Sequence, residues 1–132
     1  NNVIPEVTAL LGTVRFLEQE RGNKLLSDFE STVKGKDLIV MAIPAFAFED
    51  VTKKLSGCIL KKTPVLIATK GIQQDTCLFL NDVFAKYLTN SIAVISGPTF
   101  AVDMIKKVPL GLSLASKNKG TIAIMKKTLY KV

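Results

Sequence analysis

The segment Ile92-Ala93-Val94-Ile95-Ser96-Gly97-Pro98-Thr99-Phe100-Ala101 is an apolar run that breaks at a turn and passes at once into helical spacing. A strand that runs into a helix start leaves free backbone N–H groups and a positive dipole end just beyond the strand. That arrangement suits an anion. Gly97 removes a side chain where a ligand would approach the backbone. Pro98 suits a first helical turn, where its missing N–H does no harm. Thr99 adds a hydroxyl. The same order of residues occurs earlier in Thr63-Pro64-Val65-Leu66-Ile67-Ala68-Thr69-Lys70-Gly71, where the strand ends in a lysine and a glycine.

Outward from these two turns, strands and helices alternate. Residues 25–34 carry Leu26, Phe29 and Val33 at helical spacing, and Gly35 is a natural stop. Asp37–Ile43 is a continuous apolar run, expected as a strand buried on both faces. Residues 46–55 carry Phe48, Val51 and Leu55 at helix spacing, with Phe46 and Phe48 expected as packing residues. Asp75–Leu88 is expected as a long amphipathic helix with Asp75 at its positive end. A short helix at Phe100–Lys107, a strand at Leu110–Ala115 and a helix at Thr121–Tyr130 complete the order. Residues 1–24 remain unassigned. The expectation is one α/β domain: a parallel sheet with helices on both faces. Ligands in such sheets sit beyond the carboxyl ends of the strands. Three points fall on that edge: Ile43-Pro44-Ala45, Thr69-Lys70-Gly71 and Ser96-Gly97-Pro98-Thr99.

Composition narrows the chemistry. The 132 residues fit one domain, and 48% apolar residues are ample for a core. The net charge of +7 comes almost wholly from lysines, scattered as pairs such as Lys53-Lys54 and Lys126-Lys127. No basic run is interleaved with aromatics, which argues against nucleic acid. There is no histidine. This excludes a His-based triad, a His general base and His metal ligands in these residues. Cys58 and Cys77 are too few for a zinc cage, so no metal is expected. Two cysteines fit a reducing cytoplasm. No apolar run reaches the ~18 residues of a membrane span. The first residues show no basic start and no cleavage pattern. Lys70 is the residue best placed to hold a phosphate or polarise a carbonyl. Asp75, Asp82 and Asp103 read as helix-surface or capping residues.

Val40-Met41-Ala42-Ile43-Pro44, Ile67-Ala68-Thr69-Lys70-Gly71 and Ile95-Ser96-Gly97-Pro98-Thr99-Phe100-Ala101 closely resemble, in order and spacing, bacterial NAD(P)-dependent glycerol-3-phosphate dehydrogenase. Pro109–Ser116 is similar to the strand that follows in that family. The resemblance covers about residues 25–130. It implies a Rossmann-type N-terminal domain, a helical C-terminal domain, and NAD or NADP as cofactor. The implied reaction is hydride transfer between the nicotinamide and the pair dihydroxyacetone phosphate and sn-glycerol 3-phosphate, which feeds phospholipid synthesis. By resemblance, Lys70 contacts both substrate and cofactor. Gly97 and Thr99 bind substrate; Pro44 and Ala101 bind cofactor.

The sequence also departs from that family. No Gly-x-Gly-x-x-Gly occurs, so the first strand and pyrophosphate turn are expected to be missing. The family's proton-accepting lysine, in a Gly-x-x-Lys-Asn block, has no counterpart, and neither does the helical domain. Residues 1–132 therefore read as a partial dinucleotide-binding domain, inactive alone and with no catalytic residue of its own. Two alternatives stand beside this reading. One is a two-domain dehydrogenase of the 6-phosphogluconate or 3-hydroxyacid type. The other is a non-enzymatic α/β binding module. A truncated sheet exposes an edge, which admits a homodimer.

Overall fold

A computed structural model describes residues 7–11, 29–98, 102, 105, 106, 109 and 111–129. Five strands form one sheet in the order β1-β2-β3-β4-β5: Val7–Leu11, Leu38–Ala42, Val65–Ile67, Ile92–Ser96 and Ser113–Ala115. The first four run parallel.

Alternation along the strands sends side chains to opposite faces. Ile39, Met41, Val65 and Ile67 join one apolar cluster. Leu38, Leu66 and Ala93 join another on the reverse face. The first cluster is closed by Val33 from helix α1 (residues 29–33), by Phe48 and Leu55 from α2 (Phe48–Ser56), and by Val83 and Phe84 from α3 (Leu80–Ala85). The second is closed by Met125 from α4 (Lys119–Leu129). Helices thus cover both faces, as the alternating pattern implied. Helix α1 ends at Gly35, which takes a left-handed φ of +73°. Helix α2 buries Phe48, Thr52 and Leu55, a single stripe, and carries Glu49 and Asp50 at its positive end and Lys53 and Lys54 at its negative end. Asn118 caps α4 by accepting from the Thr121 N–H at 3.1 Å.

Four expectations are revised. Strand β1 lies within the unassigned residues 1–24 and pairs in parallel with β2, Val7 opposite Leu38 and Leu11 opposite Ala42. Strand β5 is antiparallel to β4, with Val94 opposite Ala115 and Ser96 opposite Ser113. The cause is its entry point. Gly111 re-enters beside Gly97, where β4 has just ended, so the next strand must run back down the sheet. The helix expected from Asp75 starts only at Leu80. Residues 72–79 instead fold back on themselves, with Ile72 bridged to Phe79 and the Gln73 N–H donating to the Leu78 carbonyl at 3.0 Å. That pairing removes the N–H groups a helix would need, and Cys77 adopts a φ of 54°. Phe46 is 69% exposed, in a short 3-10 turn (Ala45–Ala47) ahead of α2, whereas Phe48 is fully buried. Much of the expected Phe100–Lys107 helix lies outside the described residues, as do Asp103 and Tyr130. Among the described residues, no helix is long and apolar enough to cross a membrane.

Candidate active site at the carboxyl edge of the sheet

The parallel strands β2, β3 and β4 end side by side, so their following turns share one edge. Thr69 ties the first two together. Its hydroxyl donates to the Met41 carbonyl at 3.1 Å and accepts from the Ile43 N–H at 3.2 Å. The Ala68 N–H also donates to the Met41 carbonyl, at 2.8 Å. Thr69 is buried, so this side chain continues the sheet ladder one step beyond β3.

Gly71 follows with a φ of +118°, and a Cβ there would lie 3.2 Å from the Ala45 Cβ. The turn after β3 therefore packs on the turn after Pro44. Between these two anchored positions Lys70 stands exposed, and its Nζ donates to the Gly97 carbonyl at 3.1 Å. The structure thus brings Lys70 and Gly97 together across 27 residues of chain. An ammonium has three donors, and Gly97 takes one of them.

Gly97 has a cause that the sequence did not reveal. A Cβ there would lie 2.4 Å from the Gly111 carbonyl oxygen and 3.1 Å from Leu112 Cδ2. The neighbour that requires glycine is the chain itself, returning into β5. Pro44 is half-buried at the end of β2. Thr99 and Ala101 lie outside the described residues.

Charge divides this edge. On the α2 side, a cleft of about 230 Å³ is lined by Ala45, Phe46, Glu49, Asp50, Gln73 and Asp75. Its carboxylates repel phosphate, so an anion is drawn to the Lys70–Gly97 side. The Glu49 carboxylate is held below the usual carboxylate range, first by the Tyr87 hydroxyl and then by Lys53. Lys53 lies 3.3 Å from it. Glu49 also raises the Tyr87 hydroxyl and the Lys53 amine.

A larger groove of about 590 Å³ opens at the opposite edge, lined by Asn90, Ser91, Ser116 and Asn118 among others. Its polar groups hold the fold: Asn90 Nδ2 donates to the carbonyls of Leu60 and Thr63, both at 2.8 Å. Size alone does not make it the site, because ligands of such sheets bind beyond the carboxyl ends of the strands. Cys58 is half-buried, which pushes its thiol up and makes it a poor nucleophile. Among the described residues, no group of three His, Cys, Asp or Glu side chains could hold a metal.

Sequence reasoning missed Thr69 as a tie and missed the cluster Glu49, Gln73 and Tyr87. A β-branched hydroxyl residue just past a buried strand was an available signal for Thr69. The cluster gave none, because its members are 24 and 38 residues apart.

The fold is that of a Rossmann-type α/β domain, with a lysine and a glycine turn at the carboxyl edge of its sheet. Comparison with known proteins is specific. The model of the NAD-dependent glycerol-3-phosphate dehydrogenase N-terminus matches residues 16–122. A glycerol-3-phosphate dehydrogenase [NAD(P)+] of Leptospira biflexa is 35% identical over 102 residues, 74% of this chain and 31% of that protein. The enzyme of the same name from Colwellia psychrerythraea is 32% identical over 108 residues, 80% of this chain and 32% of its own. The crystal structure of a glycerol-3-phosphate dehydrogenase from Coxiella burnetii superposes with a TM-score of 0.69 at 31% identity, over 76% of this chain and 31% of that one. A Dunaliella salina structure, at 18% identity and a TM-score of 0.68, shares the fold. The chain belongs to the NAD-dependent glycerol-3-phosphate dehydrogenase N-terminal family. It spans about a third of the length of the relatives it matches.

Proposed function

We propose that this chain is part of a dinucleotide-binding domain in an oxidoreductase. The reaction is hydride transfer between NAD(P)H and dihydroxyacetone phosphate, giving sn-glycerol 3-phosphate. One observation carries the reading: the 3.1 Å hydrogen bond from Lys70 Nζ to the Gly97 carbonyl, which joins the two turns at the ligand edge. Family membership and the names of the relatives support it.

Lys70 neutralises the phosphorylated triose and orients its carbonyl. The family resemblance assigns Gly97 and Thr99 to substrate binding and Pro44, Lys70 and Ala101 to cofactor binding. The small residues Ala45 and Gly71 let two of the turns close to backbone distance, which fits a flat ring and its phosphates better than bulky side chains would. When bound, NAD(P) supplies or accepts the hydride. The alcohol proton needs a separate acceptor, and none of the residues named here is assigned that role. We read these 132 residues as inactive by themselves.

The test is substrate choice in the full protein. NADH or NADPH oxidation with dihydroxyacetone phosphate, lost in Lys70→Ala, is expected. Activity with 3-hydroxyacids or 6-phosphogluconate instead would place it among the other two-domain dehydrogenases. No turnover with any of these would make it a binding module.

A further inference from the structure

Gln73 lies three residues beyond Lys70, in the fold-back that follows the turn. Its carbonyl side-chain oxygen accepts from the Thr76 hydroxyl at 2.6 Å, and its Nε2 donates to Glu49 Oε2. The other carboxylate oxygen of Glu49 accepts from the Tyr87 hydroxyl. Lys53, one turn along α2, pairs with that same oxygen and lies 5.3 Å above the Tyr87 ring. One carboxylate therefore joins α2, the fold-back at 72–79 and the end of α3. Backbone bonds complete the fold-back: Gln73 N–H to Leu78 and Cys77 N–H to Gln73, at 3.0 and 2.9 Å.

Such a junction exceeds what the core requires. Phe48, Val83 and Phe84 already hold α2 and α3 together. The fold-back packs on that core through Leu78, while Ile72 and Phe79 are 44% and 66% exposed. Its side-chain hydrogen bond to α2 is the Glu49–Gln73 bond, and it begins directly after the Lys70-Gly71 turn. We propose that Glu49 is a positioning residue: through Gln73 and Tyr87 it fixes the fold-back against α2, and so holds the Lys70 amine beside the Gly97 carbonyl where a phosphorylated ligand is received. This rests on the function proposed above. Glu49 itself does not touch the ligand. Its carboxylate faces Lys53, Tyr87 and Gln73, with Lys86 acting on it electrostatically, and these partners satisfy it away from the anion.

Amide hydrogen exchange and a double-mutant cycle test it. In Glu49→Ala, exchange at Gln73 and Cys77 should rise about tenfold, the scale of a lost charge-assisted hydrogen bond, while Ile122 in α4 stays unchanged. Glycerol 3-phosphate, titrated as the probe, should bind about fivefold more weakly to Glu49→Ala than to the unaltered protein. In a Lys70→Ala background the same change should have no further effect, because Glu49 acts through Lys70. Tyr87→Phe should give a smaller change in the same direction, which guards against misfolding of Glu49→Ala. Unchanged exchange at Gln73, or fully additive losses of affinity, would overturn the proposal and leave the site reading intact. Undiminished binding by Lys70→Ala alone would overturn the site reading itself, and the positioning role with it.

Discussion

The turns after β3 and β4 both follow an inner strand of the sheet with a glycine, and the two glycines answer different demands. Gly71 sits at a φ of +118°, a backbone conformation that other residues resist, with the Ala45 methyl 3.2 Å from any added Cβ. Gly97 needs no unusual φ; what it needs is space, because the Gly111 carbonyl would lie 2.4 Å from a Cβ. One turn is shaped by local conformation and the other by a strand that returns 14 residues later. A glycine in sequence reports that a side chain is unwelcome. It does not report whether ligand, backbone conformation or distant chain is the cause.

Substitutions separate these demands. Gly97→Ala should cost the most, about 3 kcal/mol, since a backbone carbonyl cannot step aside as a side chain does. It should also detach β5, visible as faster amide exchange at Ser113 and Ala115. Gly71→Ala should cost about 2 kcal/mol through backbone strain, with β5 unaffected. Equal losses for the two glycines, or loss of β5 pairing in both, would erase the distinction. Thr69→Val keeps the shape but leaves the buried Ile43 N–H without its acceptor, for about 1.5 kcal/mol in urea unfolding. Lys70→Ala should move stability by no more than about 0.5 kcal/mol, because the side chain is exposed, yet weaken binding of a phosphorylated triose at least about tenfold.

The smallest effect concerns pH. Glu49 is depressed in the folded chain, so its stabilising contribution is present above the ordinary carboxylate value and is lost as pH falls through the depressed one. The difference in melting temperature between the unaltered protein and Glu49→Gln should therefore persist into mild acid and vanish only below the usual carboxylate range.

Much of this edge could be read from the sequence because it is built from local patterns. Short apolar runs such as Val65–Ile67 and Ile92–Ser96 are strands because they pair in the sheet with apolar side chains on its two faces, and each ends in residues that do not extend it. The turns that follow parallel neighbours must then share an edge, which pairs Lys70 with Gly97 from the sequence pattern. Non-local choices were hidden. Val7–Leu11 is bounded by Pro5 and Gly12, but its Ala and Leu suit a helix as well as a strand; pairing with Leu38–Ala42 settles it. The direction of β5 follows from where the chain re-enters, not from Ser113-Leu114-Ala115 itself. The periodicity of Asp75–Leu88 was real, with Leu78, Val83, Phe84 and Leu88 all packing on the core, but the bridge between Ile72 and Phe79 overrode its first turn. Glu49, Gln73 and Tyr87 met only through tertiary packing.

The central claim, that a phosphorylated triose is received between the turns of Lys70 and Gly97, is tested most directly by titrating the protein with glycerol 3-phosphate and following backbone amide NMR signals. Saturable shifts concentrated at Lys70, Gly71 and Gly97, reached only at much higher concentration in Lys70→Ala, are the predicted result. An unchanged titration in Lys70→Ala, or shifts that centre on Asn90 and Asn118 at the opposite edge, would contradict it.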